Sequence, residues 1–156
     1  MKLKLTLLLL FVILFAQVQS SQAQSATTMQ DILETVNEKV IYLEDTKDQE
    51  IVNISIDLLV NRGKKVLYRY LDPSFEYTAI AIGDRRITQL ILTVYRKHEG
   101  KWEYVTEDVG SSPQIKLLPD VNEEYEFTIS VERFVEDERA GHYAILLYHK
   151  DPLKIK

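Results

Sequence analysis

Eight short stretches of alternating apolar and polar residues fill the chain from about residue 51 to residue 149, and a different rhythm precedes them. Met29, Ile32, Leu33, Val36 and Val40 recur at three- and four-residue spacing, which predicts an amphipathic helix over about 28–42, with Thr28 placed to cap it three residues before Asp31. The charged run Glu44 to Glu50 is expected to end it. Residues 51–60 read two ways. Val52, Ile54, Ile56, Leu58 and Val60 share one face of a strand, opposite Asn53, Ser55 and Asp57, whereas Gly63 after Arg62 would suit a helix C-cap. On a helical wheel the same apolar residues spread over more than half the circumference, so alternation predicts a strand that turns through 61–64.

From Lys64 the punctuation is regular. Pro73-Ser74 separates 64–72 from 75–83, and His98-Glu99-Gly100 joins 88–96 to 101–108 in a short hairpin. A brief strand over 112–118 ends at Pro119. Over 124–132 the alternation is complete, with Tyr125, Phe127, Ile129 and Val131 inward and Glu124, Glu126, Thr128 and Ser130 outward. Residues 141–149 close the set. Short strands at this spacing predict a mainly β chain, an antiparallel sandwich preceded by one N-terminal amphipathic helix. The strand 86–96 is apolar on both faces: Leu90, Leu92 and Val94 are expected in the inter-sheet core, and Ile91, Thr93 and Tyr95 on an outer face that needs a cover. The N-terminal helix or a partner protein is the first candidate for it.

Ahead of all this, Lys2 and Lys4, the apolar run Leu5 to Ala16 and the small residues of Ser21-Gln22-Ala23 form the pattern of a cleaved signal peptide over 1–23. The apolar run is shorter than the roughly 20 residues that span a bilayer. The expected organisation is therefore a signal peptide (1–23), a polar lead and helix (24–48), a sandwich domain (49–150) and a short tail (151–156), located outside the cell or in the periplasm, without membrane insertion after signal cleavage. Removing 1–23 takes two lysines and no acids, moving the formal net charge from −5 to −7. That balance argues against nucleic acid and against attraction to anionic lipid. No cysteine is present, which excludes disulfides, thiol nucleophiles, zinc–thiolate sites and lipidation of an N-terminal cysteine. Stability must come from the core.

In their order, "YLDPSFEYTAIAIGD", "ITQLILTVYR", "SPQIKLLPD", "EYEFTISV" and "GHYAILLYH" resemble the bacterial pre-peptidase C-terminal domain over roughly 66–149. The shared features are Tyr77 entering a strand, Gly83-Asp84 leaving it, Pro113 and Pro119 around a short strand, the Tyr125 to Val131 alternation, and Gly141 with Tyr143-Ala144. The resemblance implies a jelly-roll-like β-sandwich with an accessory, non-catalytic role. The family's acidic strand is not kept: Gln89-Leu90-Ile91-Leu92 and Tyr95-Arg96 stand where relatives carry aspartates.

Catalytic constellations are missing from the sequence. No G-x-S-x-G elbow occurs, and Asp45-Thr46-Lys47 lacks the glycine of an aspartyl-protease signature. His142 and His149, seven residues apart on one strand, should point to opposite faces. The carboxylate groups Asp120, Glu123, Glu124 and Glu136, Asp137, Glu138 read as solvated turns. Calcium would suit such oxygens, but neither cluster has a calcium-loop spacing, so no cofactor or metal is expected. Asn53-Ile54-Ser55 fits a glycosylation acceptor.

Aromatic residues carry the remaining signal. Eight of nine tyrosines fall between Tyr68 and Tyr148. Trp102 and Tyr104 share a strand face, as do Tyr68 and Tyr70, and exposed rings could stack on sugars or anchor a protein, while cross-strand pairing would use the same rings for stability. The expected function is a non-enzymatic binding module for a protein or polysaccharide, with Trp102, Tyr104, Tyr95 and Ile91 as candidate contact residues. A dedicated carbohydrate-binding domain and a small secreted hydrolase are the alternatives.

Overall fold

A computed structural model describes residues 28–150; the expected signal peptide over 1–23, residues 24–27 and the expected tail 151–156 lie outside the described residues. The chain is mainly β, with one N-terminal helix, α1 (Thr28–Ile41), and eight strands: β1 (Gln49–Val60), β2 (Lys64–Leu71), β3 (Tyr77–Gly83), β4 (Ile87–His98), β5 (Lys101–Gly110), β6 (Gln114–Leu117), β7 (Glu123–Phe134) and β8 (Ala140–Lys150). Each predicted strand is present, including the ambiguous first one. They form two antiparallel four-stranded sheets, sheet I in the order β1-β8-β3-β6 and sheet II in the order β2-β7-β4-β5. Strand pairs nest from the outside in, first with eighth through to fourth with fifth, which is jelly-roll topology.

Alternation explains the inter-sheet core. Leu90, Leu92 and Val94 of β4, Phe127 and Ile129 of β7, and Ile145 and Leu147 of β8 have no exposed surface. β1 turns its polar side inward. Asn53, Ser55 and Asp57 lie opposite Leu147, Ile145 and Tyr143, so the polar side of this edge strand looks between the sheets. Only Leu59 joins the core from that side, while Ile54, Leu58 and Val60 are exposed. At an open edge polar groups can reach water or a facing strand: Asp57 pairs with Lys65 of β2 across the mouth of the sandwich, and that hydrogen bond is the main cause holding its carboxyl below the ordinary value. Asn53 Oδ1 is buried without a partner, which leaves the acceptor pattern at Asn53 poorly placed for glycosylation.

Helix α1 runs on as a π-helical turn (Tyr42–Thr46), so the charged segment continues the helix instead of ending it at residue 42. Thr28 does not cap α1 by way of Asp31. Its hydroxyl meets His142 Nδ1 at 3.2 Å, and the Asp31 carboxylate accepts from Arg85 N at 3.4 Å. Ile32, Val36 and Leu43 are buried against Ile80, Ile82 and Leu146. The helix thus covers the outer face of β3 and β8 in sheet I, not β4. The reason is composition: β3 and β8 are apolar at outward as well as inward positions, whereas the outward positions of β4 alternate Ile91 with Thr93, Tyr95 and Lys97.

Asp84 fastens this arrangement. Its side chain has no exposed surface and accepts from Arg86 N (2.9 Å), Arg86 Nη2 (2.7 Å) and His142 N (2.7 Å). Beside it Gly83 and Gly141 clasp Ile87; a Cβ on Gly141 would stand 2.6 Å from Ile87 Cγ1. These are the Gly-Asp and Gly features that carried the sequence resemblance, and they meet at one point where β3, β4 and β8 join. The β4–β5 ladder passes from Val94 opposite Thr106 to Tyr95 opposite Tyr104, leaving Val105 as a bulge.

Candidate binding face

Sheet II has no helix over its outer face among the described residues, and its register brings the candidate aromatics together. Tyr68 of β2 lies opposite Glu126 of β7, Glu126 opposite Tyr95 of β4, and Tyr95 opposite Tyr104 of β5. One step along, Tyr70 lies opposite Glu124, Glu124 is ion-paired with Lys97 at 2.9 Å, and Lys97 lies opposite Trp102. On the other side follow Val66, Thr128, Thr93 and Glu107, and beyond them Ser130, Ile91 and Val109.

The side chains lean over the sheet rather than standing apart. Tyr68 and Trp102 come from the two edge strands, yet their ring centroids are 5.5 Å apart, meeting above β7 and β4. Lys97 Nζ lies 5.5 Å from the centroid of Trp102, and Tyr95 meets Tyr104 edge-on at 6.0 Å. Cross-strand pairing and exposure therefore coexist: Tyr70 is 71% exposed, Tyr104 62% and Trp102 39%. Tyr95 and Ile91 are half-buried, so both serve as floor and not as ring platforms.

Polar groups between the rings are mutually oriented. Thr93 donates to Glu107 at 2.8 Å, and Thr128 to Glu126 at 2.9 Å. Partial desolvation, then the Glu126 carboxylate, pushes the Tyr68 hydroxyl upward in pKa, so it remains a hydrogen-bond donor across the ordinary pH range. Its hydrogen bond to Glu124 pushes Lys97 upward too and keeps it charged. The acids that read as a solvated turn are occupied here: Glu123 pairs with His98 at 2.8 Å, Glu124 with Lys97, and Asp120 with Arg96 at 3.7 Å. Glu136, Asp137 and Glu138 remain exposed.

The histidines do lie on opposite faces. His142 sits by Thr28 and Arg86, while His149 stacks on Phe75 at 4.2 Å, buried in an aromatic corner with Tyr77. Among the described residues no three His, Asp or Glu side chains converge where a metal ion could be held. Sequence reading singled out Trp102 and Tyr104 but not the Glu124, Glu126 and Thr93 that lie between the rings. Their alternation was visible, but the strand order that juxtaposes them was not.

No family model matches the chain, and no curated relative does. Solved structures share the architecture. The surface-associated copper-binding protein CorA of Methylomicrobium album BG8 aligns over 60% of this chain and 91% of its own, with 8% identity and a TM-score of 0.51. The Yersinia pseudotuberculosis-derived mitogen aligns over 63% of this chain and 84% of its own at 11% identity and a TM-score of 0.48. The carbohydrate-binding module TmCBM61, solved with β-1,4-galactotriose, aligns over 67% and 83% at 16% identity and a TM-score of 0.34. At these identities what is shared is the fold.

Proposed function

We propose that the chain is an exported, non-catalytic binding module that holds a polysaccharide against the outer face of sheet II. The observation that carries this reading is the set of exposed rings, Tyr70, Trp102 and Tyr104, around interleaved carboxylates and threonines. The C–H faces of a sugar lie on such rings and release water from both surfaces, while its hydroxyls exchange hydrogen bonds with the polar groups between them. A protein partner would favour a contiguous apolar patch; here the two ring pairs, Tyr68 with Trp102 and Tyr95 with Tyr104, are interleaved with Glu124, Glu126 and Lys97. The non-catalytic part rests on the carboxylates, since Glu124 and Glu126 are each tied to a neighbour and neither stands in a cleft facing a second free acid. The accessory role implied by the pre-peptidase C-terminal resemblance agrees with this reading, and export agrees with the signal-like segment.

The test is affinity electrophoresis of the full chain and of Trp102→Ala/Tyr104→Ala through gels carrying neutral polysaccharides. Retardation by at least one polysaccharide, lost in the double variant, is the expected result. Equal mobility of the two proteins on every polysaccharide defeats the proposal.

A further inference from the structure

The helix that covers sheet I stops short of one end, and the uncovered floor there is a cleft of about 550 Å³. Its floor is Tyr148 and Thr78 on the outer face of β8 and β3, and its wall is the π-helical turn with Tyr42. Four cations surround it, each from a different element: Lys39 of α1, Lys47 just after the π turn, Lys116 of β6 and Lys150 of β8. Among the described residues only one carboxylate, Glu76, lines the same cleft. In a chain of formal net charge −5 this local reversal is unexpected from composition. Elsewhere Lys65 and Lys97 are each held by a carboxylate. Lys39 and Lys47 instead hold their ammonium groups 5.7 and 5.4 Å from the Tyr42 ring centroid. Four cations gathered around a single lining carboxylate raise the local concentration of anions.

We infer that this cleft is a second binding site, one that takes an acidic oligosaccharide whose carboxylate or sulfate groups are spaced along its chain. Spacing decides against a single small anion. Lys116 and Lys150 are separated by β3, which puts them on the order of 10 Å apart from strand spacing alone. Among the described residues no arginine lines the cleft, so no guanidinium fork offers a bidentate phosphate clamp. Between the cations lie side-chain amides that exchange hydrogen bonds with hydroxyls, Gln49 and Gln114. A cleft of this volume falls in the range that encloses small-molecule ligands. The site lies on sheet I, opposite the aromatic face of sheet II, and does not depend on it.

Calorimetry on the full chain at low and high salt tests this with four probes: an oligogalacturonate hexamer, a heparin-derived hexasaccharide, maltohexaose and a deca-glutamate peptide. Lys47, Lys116 and Lys150 are exposed, so Lys47→Gln/Lys116→Gln/Lys150→Gln should leave melting unchanged. The expected result is binding of one or both acidic sugars, weakened by salt, unaffected by Trp102→Ala/Tyr104→Ala, and reduced at least about tenfold in the triple variant. The stronger of the two acidic arms identifies carboxylate or sulfate as the natural group. Equal affinity of the triple variant and the unaltered chain overturns the inference. So does deca-glutamate or maltohexaose binding at the cleft as tightly as the acidic sugars.

Discussion

Replacing Asp84 by asparagine keeps the shape of a side chain that has no exposed surface and removes its charge. In the native protein Oδ2 receives His142 N and Arg86 Nη2 at 2.7 Å each and Arg86 Nε at 3.1 Å, while Oδ1 receives Arg86 N at 2.9 Å. An amide has one acceptor oxygen, so in either flip its NH₂ group faces donors. Breaking a buried, hydrogen-bonded ion pair from one side costs roughly 3–5 kcal/mol. The Arg86 side chain is still 20% exposed and can be rehydrated, which places the cost at the low end, about 3 kcal/mol. For a domain of this size that corresponds to a melting temperature lower by about 10 °C. Urea titration followed by circular dichroism would measure it, and pH supplies an internal check. Burial alone would push the Asp84 carboxyl up in pKa, but the Arg86 side chain, the His142 amide and the Arg86 amide outweigh burial and hold it below the ordinary value. A depressed folded pKa means stability that is present above the unfolded value of about 3.9 and is lost as pH falls through the folded one. The gap between the native protein and Asp84→Asn should therefore be widest near neutrality and shrink below pH 4. A difference under about 0.5 kcal/mol at pH 7, or one that stays constant down to pH 2, would refute the assignment of Asp84 as the fastening point.

Three further outcomes follow from the packing. Gly141→Ala should cost about 1–3 kcal/mol in chemical denaturation because its methyl collides with Ile87, and it should cost less in an Ile87→Ala background, which lacks both colliding carbons; simple additivity of the two would contradict the clasp. Ile32→Ala should cost about 2–4 kcal/mol through the cavity left between α1 and sheet I, and an unchanged melting curve would mean the helix is not docked there in solution. In NMR titration His98 should lose its proton above its ordinary value of 6.5, because its hydrogen bond to Glu123 favours the charged ring; the stabilisation from this raised pKa is present below 6.5 and disappears as pH rises through the folded value, and Glu123→Gln should abolish the shift.

Strand positions, turns and the inter-sheet core were legible because period-two alternation and turn residues act locally. Pairing order was not, and most differences between expectation and structure come from it. Apolar residues at outward positions of β4 suggested a covered strand, yet the runs Ala79 to Ile82 and Ala144 to Leu147 gave the stronger signal of burial on both faces. Those are the strands that α1 covers. β1 is the opposite case. As an edge strand it can turn Asp57 inward beside a facing lysine, and hydrophobicity does not specify its facing. The candidate rings at Trp102 and Tyr104 were readable from their spacing, whereas the four lysines of the sheet I cleft lie at residues 39, 47, 116 and 150 and share nothing in sequence that would associate them.

The bulge at Val105 sets the parity of β5. Before it, even-numbered residues face outward and deliver Trp102 and Tyr104 to the open side; after it, odd-numbered Glu107 and Val109 do so. In a regular ladder of the same residues, with Val105 opposite Tyr95, both rings would turn toward the hydrophobic interior. Whether this domain owns an aromatic platform at all is thus decided by one irregularity in the pairing of β5, and not by which residues the strand contains. The same sequence paired without the bulge could keep its fold and present a different surface.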